Sequence, residues 1–98
     1  MKVSVVGGGA WGTAVANLVA GNVGGVRLWA RDQDVVETIN SRRTNPKFLA
    51  GARLNRNLFA TTSYNEALVD VELLIWAIPV QYSRERLSEI SPMLGKDV

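Results

Sequence analysis

Three glycines, Gly7, Gly9 and Gly12, follow directly on the apolar segment Val3-Ser4-Val5-Val6, and no other feature restricts the fold of this chain as much. The segment is short, rich in β-branched residues and bounded by glycine, the pattern of a strand. The small and apolar residues from Trp11 to Ala20 favour a helix. G-x-G-x-x-G spacing alone is a weak signal, but between a strand and a helix it becomes informative. In that setting Gly7 permits the tight turn. Gly9 leaves no Cβ between the backbone and a pyrophosphate, and Gly12 lets the helix pack close to the strand. The unpaired N–H groups of the helix start, aided by the helix dipole, then favour an anion. Gly7-Gly8-Gly9-Ala10-Trp11-Gly12 therefore reads as a dinucleotide-binding turn.

The rest of the chain continues the alternation. Ala14, Leu18 and Gly21 share one helical face, with Gly21 as a stop and Gly24-Gly25 as a turn. Val26 to Ala30 reads as a second strand, which completes one βαβ unit. Asp32-Gln33-Asp34 offers N-cap candidates for a helix carrying Val35, Val36 and Ile39. Asn45-Pro46 breaks the pattern, and 41–58 reads as a long turn-rich connection, of the kind that is functional or disordered. Phe59 to Thr62 predicts a short strand. Ser63-Tyr64-Asn65-Glu66 predicts a capping box opening a short helix through Val69. Leu73 to Ile78 is apolar on both faces, as a central parallel strand is, and Pro79 ends it. Leu87, Ile90 and Leu94 suggest a last helix, weakened by Pro92. The expected fold is α/β, a Rossmann-type parallel sheet with helices on both faces and right-handed crossovers. The chain stops at Asp97-Val98, where a further strand is expected. Residues 1–98 thus read as a partial dinucleotide-binding domain, incomplete at its C-terminal edge.

Composition narrows the chemistry. The chain has neither cysteine nor histidine, which removes disulfides, thiolate catalysis, the usual zinc sites and the commonest general base. No catalytic residue and no metal ligand are assigned. The apolar run from Leu73 to Val80 is too short to span a bilayer, and the N-terminus has no signal-peptide pattern, so a cytoplasmic protein is expected. The net charge is only +2, yet Arg42, Arg43, Lys47, Arg53 and Arg56 all fall in the acid-free stretch between Glu37 and Glu66. Aromatic interleaving there is limited to Phe48 and Phe59, thin for a nucleic-acid surface. Most of these charges read as a solvated loop, and only Phe48 and Lys47 are singled out as candidates to face an anionic cofactor or substrate.

The end of the second strand selects the nucleotide, since a ribose hydroxyl calls for an acid and a 2′-phosphate for an arginine. Arg31 and Asp32 supply one of each. Arg31 can stack on adenine or hold a phosphate, and Asp32 can bind ribose or cap the next helix. This reading accommodates NAD or NADP. Trp29 and Trp76 are expected to pack on the sheet, whereas Trp11, inside the turn, is expected to flank the ligand. Glu66 reads as a cap, and Arg84, Glu85 and Arg86 as a solvated helix face.

Four segments carry a family resemblance: Gly7 to Thr13 with its tryptophan, Leu28-Trp29-Ala30-Arg31-Asp32, Asn45-Pro46-Lys47-Phe48-Leu49 and Ala77-Ile78-Pro79-Val80-Gln81. In order and spacing they are similar to bacterial NAD(P)-dependent glycerol-3-phosphate dehydrogenase, over essentially the whole chain. The resemblance implies an enzyme that interconverts dihydroxyacetone phosphate and sn-glycerol 3-phosphate by hydride transfer, for phospholipid synthesis. It implies cofactor contacts at Ala10, Trp11, Arg31 and Phe48. It also implies that the loop after Ile78-Pro79 lines the nicotinamide side. Ala10 and Val80 depart from the family, which often has serine there; the backbone N–H groups remain. The family's catalytic lysine belongs to a Lys-Gly segment that would follow Val98, and Lys96 does not match it. The resemblance likewise implies that the substrate domain is absent from this chain, so the fragment alone is expected to be inactive. The full enzyme would take a small phosphorylated substrate and leaves room for a homodimer. Three other readings stay open: an NADP-dependent hydroxyacid or ketoacid reductase, a non-catalytic nucleotide-binding module, and a protein binding S-adenosylmethionine.

Overall fold

The computed structural model describes residues 2–78 and 80–93. Strand β1 (Val3–Val6) leads into helix α1 (Ala10–Ala20) and strand β2 (Val26–Trp29). Helix α2 (Gln33–Arg42) and strand β3 (Leu58–Thr61) follow, then helix α3 (Tyr64–Leu68), strand β4 (Leu73–Trp76), helix α4 (Val80–Ile90) and a 3-10 turn (Ser91–Met93). The four strands form one parallel sheet in the order β3-β2-β1-β4. The expected Rossmann-type α/β architecture is present.

Strand alternation divides the core into two. Val3 and Val5 of β1, Val26 and Leu28 of β2 and Leu58 and Ala60 of β3 face α1 and α2, meeting Ala16, Ala20, Val35, Val36 and Ile39. Val6 and Trp29 face the other way, against Ala67 and Leu68 of α3 and Ile90 of α4. Parallel strands flanked by helices on both faces bury both sets of side chains. All four residues of β1 are accordingly buried. Even Ser4 is accommodated, because its hydroxyl donates to the carbonyl of Ala67.

Several local expectations need correction. Ala14 and Leu18 do share a face of α1, but it is the solvent face, and Leu18 is 71% exposed. The sheet-facing residues are Gly12, Thr13, Ala16 and Ala20. Small side chains line this face because the helix lies too close to the strands for large ones. Only half of the capping box forms. Ser63 Oγ accepts from the backbone N–H of Glu66 at 3.3 Å, while the Glu66 carboxylate accepts from the hydroxyl of Thr61. Thr61 Oγ1 takes over the Ser63 N–H, at 3.0 Å. Among the described strands the apolar run 73–76 borders β1 on the side where a further strand is expected, and Leu73 is 45% exposed. Leu94 lies outside the described residues, and α4 is anchored by Ile90 while Leu87 is exposed.

Trp29 packs as expected, stacked on Tyr64 with ring centroids 4.4 Å apart and donating Nε1–H to the carbonyl of Thr62 at 2.9 Å. The half-buried Trp76 donates to Ser83 Oγ at 2.9 Å, tying β4 to α4. The connection after α2 is anchored to the rest of the fold at several points. Arg43 takes a left-handed conformation (φ 59°) at the helix C-cap and donates its guanidinium to the carbonyl of Leu58. Leu54 is buried and its N–H donates to Arg43 O at 2.7 Å. Among the described residues no helix is long and apolar enough to cross a membrane.

Candidate functional site

Because β1 is flanked by β2 on one side and β4 on the other, the chain runs from β1 to one half of the sheet and later returns to the other. The carboxyl ends of parallel strands at such a switch point diverge and leave a crevice, the general ligand position of open α/β sheets. The glycine turn lies there. Gly7 N–H donates to Trp29 O at 2.9 Å, and Ala77 N–H donates to Val6 O at 2.8 Å, so the sheet hydrogen bonds continue to its lip.

Each glycine of the turn has its own physical reason. Gly7 has φ +125°, and a Cβ there would stand 2.8 Å from the Ala77 carbonyl. A Cβ on Gly12 would stand 1.8 Å from Gly7 O, which is the close strand–helix approach expected from the spacing. Gly8, to which the spacing assigned no role, needs glycine as well, since its Cβ would meet the Ala30 Cβ at 2.5 Å. Gly9 is different. Its backbone is ordinary extended (φ −73°, ψ −169°) and a Cβ would meet nothing within 4 Å. Among the described residues nothing requires glycine at this position, and the space a Cβ would take is free.

Gly9 is also the N-cap of α1, without a side-chain capping bond and without an acid in the first turn. The amides of the first turn have no intrahelical acceptors. Ala10 and Trp11 occupy that turn with exposed side chains, Trp11 at 61%. The result is an unshielded cluster of N–H donors at the positive end of a helix. A concavity of about 360 Å³, lined among others by Lys2, Val3, Gly25 and Phe59, opens instead at the amino ends of β1 and β2. It lies opposite these amides, on the side of a parallel sheet where ligands are not expected.

The turn is held from behind by residues to which the sequence reading assigned no function. Thr13, fully buried, donates its hydroxyl to Gly8 O at 3.2 Å. Asn45, also buried, donates Nδ2–H to Gly8 O at 3.2 Å and to Thr13 Oγ1 at 2.9 Å. Among the described residues its Oδ1 has no hydrogen-bond partner. The backbone of Asn45 in turn accepts from the N–H groups of Phe48 and Leu49, at 3.3 and 2.7 Å. One buried asparagine thus clamps the connection after α2 to the glycine turn. The available signal was Asn-Pro after a helix, which marks a turn but not its partner. Truncating Asn45 to alanine removes both bonds, although the loss of an orphaned Oδ1 offsets part of the cost. We expect a net destabilisation of about 2 kcal/mol, checked by urea unfolding.

At the end of β2 the chain places Ala30 inside, Arg31 outside and Asp32 at the N-cap of α2. Asp32 caps by position only: its side chain makes no capping bond. Oδ2 accepts from Lys47 Nζ at 3.0 Å, and Oδ1 lies 3.7 Å from Arg31 Nε. The hydrogen bond from Lys47 holds the Asp32 carboxyl below its ordinary range. Limited desolvation opposes it, and the charges of Lys47 and Arg31 reinforce it. The carboxylate is therefore ionised throughout the neutral range. Lys47 Nζ also sits 5.4 Å from the centroid of the partly exposed Phe48 ring.

The structure thus gathers Gly7, Gly9, Ala10, Trp11 and Gly12 in one turn. It places Arg31, Lys47 and Phe48 together at the adjoining strand end. Pro79 lies outside the described residues. Among the described residues no cluster of acidic side chains could hold a metal ion. A carboxylate flanked by two cations, an exposed aromatic ring and a row of free amides suit a ligand with phosphate, ribose and base.

The comparisons with known proteins agree with this geometry. Residues 2–98 match the family described as NAD-dependent glycerol-3-phosphate dehydrogenase N-terminus. The glycerol-3-phosphate dehydrogenase [NAD(P)+] of Nitratidesulfovibrio vulgaris is 45% identical over 94 residues, 96% of this chain and 28% of the relative. That of Sphingopyxis alaskensis is 50% identical over 88 residues, 90% of this chain and 26% of the relative. The solved glycerol-3-phosphate dehydrogenase of Plasmodium falciparum superposes with a TM-score of 0.93 at 30% identity, covering all of this chain and 30% of that one. The chain therefore spans under a third of the length of these relatives. By its sequence match and its sheet alike, the chain belongs to the N-terminal family of NAD-dependent glycerol-3-phosphate dehydrogenases.

Proposed function

We propose that this chain is the coenzyme-binding part of a glycerol-3-phosphate dehydrogenase and holds NAD or NADP across the carboxyl ends of β1 and β2. The observation that carries the reading is Gly9, a glycine that no internal contact demands, at an uncapped helix start facing free space. A pyrophosphate fills such a space and accepts from such amides. Gly7, Gly9 and Gly12 shape the cradle, and the backbones of Ala10 and Trp11 supply donors. Arg31 and Phe48 take the adenosine end. The nicotinamide end is assigned to the carboxyl end of β4, beyond Trp76. When bound, the nicotinamide carries the hydride that interconverts dihydroxyacetone phosphate and sn-glycerol 3-phosphate. The substrate site and proton donor belong to a part of the enzyme outside this chain, so residues 1–98 bind coenzyme without turnover.

Titration with NADH, NADPH and S-adenosylmethionine, followed by tryptophan fluorescence with Trp11→Phe as control, tests the reading. Binding of either dinucleotide supports it, and binding of S-adenosylmethionine alone overturns it. Arg31→Ala is expected to weaken NADPH by about tenfold and NADH by less, the scale of one charge-assisted bond. Equal losses would remove Arg31 from the 2′-phosphate site.

A further inference from the structure

Asp32 stands where a Rossmann-type sheet reads the adenosine ribose, one residue beyond Arg31 and past the end of β2. A bare carboxylate there accepts from the ribose hydroxyls and repels a 2′-phosphate. In this protein the carboxylate is not bare. Lys47 arrives from the connection after α2 and donates to Oδ2 at 3.0 Å, while Arg31 faces Oδ1 at 3.7 Å. Two cations from two segments thus bracket one anion, and the cluster carries a net charge of one positive unit.

The position of Lys47 is set by the buried clamp rather than by the ion pair. Asn45, two residues earlier, is bonded to Gly8 O and Thr13 Oγ1. The turn from Asn45 to Leu49 is closed by backbone bonds. The clamp that holds the glycine turn therefore also delivers the Lys47 ammonium to the ribose end of the cleft. An ion pair this exposed (Lys47 side chain 53%, Asp32 27%) adds little to folding, so stability does not account for the arrangement.

We propose that Lys47 is a coenzyme-specificity residue: by pairing with Asp32 it masks the carboxylate and, beside Arg31, supplies the second cation for a 2′-phosphate. The proposal rests on the dinucleotide reading above. With NADPH, Lys47 turns from the carboxylate to the phosphate, within the swing of one flexible side chain. With NADH, the Asp32–Lys47 pair stays closed, and Oδ1, which Arg31 approaches only to 3.7 Å, accepts from a ribose hydroxyl. One site then serves both coenzymes, and Lys47 sets the balance between them.

The test uses the natural full-length protein and dissociation constants for NADH and NADPH, with unfolding midpoints as fold controls. Lys47→Gln is expected to weaken NADPH at least tenfold while NADH stays within about threefold. Lys47→Arg restores NADPH, which a merely structural lysine would not predict. Asp32→Asn is expected to weaken NADH severalfold and leave NADPH equal or tighter. The proposal is overturned if Lys47→Gln changes both coenzymes by the same factor, or neither. If the unsubstituted protein binds neither coenzyme, the dinucleotide reading itself falls, and this proposal with it.

Discussion

Replacing Gly12 by alanine is expected to destabilise the protein by about 3 kcal/mol or more, near the upper end of overpacking substitutions. The added methyl would lie 1.8 Å from Gly7 O and 2.9 Å from Gly7 C. Both are backbone atoms of a turn already committed to φ +125°. A flexible side chain could swing away from such a clash, but a turn fixed at both ends cannot. Gly7 N–H is bonded to Trp29 O, and Gly8 O is held by Thr13 and Asn45. Relief therefore requires α1 to lift from β1, which opens the core around Ala16 and Ala20. Thermal unfolding should show a midpoint more than roughly 10 °C lower, given the size scaling of a domain this small. Gly25→Ala is the control: its Cβ would meet nothing nearer than Asn57 O at 4.0 Å, and we expect a change below about 1 kcal/mol. A Gly12→Ala variant as stable as the control would show that the strand–helix approach is looser than described.

Gly9→Val separates binding from folding. The backbone at Gly9 suits any L-residue, and a Cβ there would meet nothing within 4 Å among the described residues. Loss of the glycine N-cap costs about 1 kcal/mol at most. Under the proposed function the same side chain stands where the pyrophosphate must approach the amides of Ala10 and Trp11, so binding of NADH and NADPH should fall at least about a hundredfold. The pair of measurements is diagnostic: an unfolding midpoint near that of the parent together with lost binding. Retained binding would mean that the free amides of α1 do not meet the coenzyme. Gly7, Gly9 and Gly12 thus form one motif with two kinds of glycine. Gly7 and Gly12 answer to the protein's own backbone, and Gly9 to what lies outside it.

Much of the fold was legible because it depends on short-range physics. Strand-to-glycine-to-helix succession set β1 and α1, and β-branched and apolar runs located all four strands to within a few residues. The misreadings arise where a tertiary contact overrides a local signal. Hydrophobicity ranks residues by their affinity for an interior, but contact distance decides which of them reach it. On α1 the sheet lies so close that Gly12, Ala16 and Ala20 pack while Leu18 is left outside. Glu66 and Ser63 had the spacing of a capping box, but Thr61 at the end of β3 competed for the carboxylate and for the Ser63 N–H.

The same division runs through the site. By itself the sequence determined the glycine turn, its register between strand and helix, and the adjacency of Arg31 and Asp32, because these follow from backbone sterics over a few residues. It also singled out Phe48 and Lys47 without showing what they face. Only the tertiary structure decided that Asn45 reaches across 37 positions to Gly8 and 32 to Thr13, and that Lys47 reaches across 15 to Asp32. Those contacts depend on the path of the chain between α2 and β3, which is set by the burial of Leu54, the left-handed turn at Arg43 and the close packing of α1 on the sheet. No local preference encodes such a path. It emerges when buried groups far apart in the chain satisfy one another's hydrogen bonds at once.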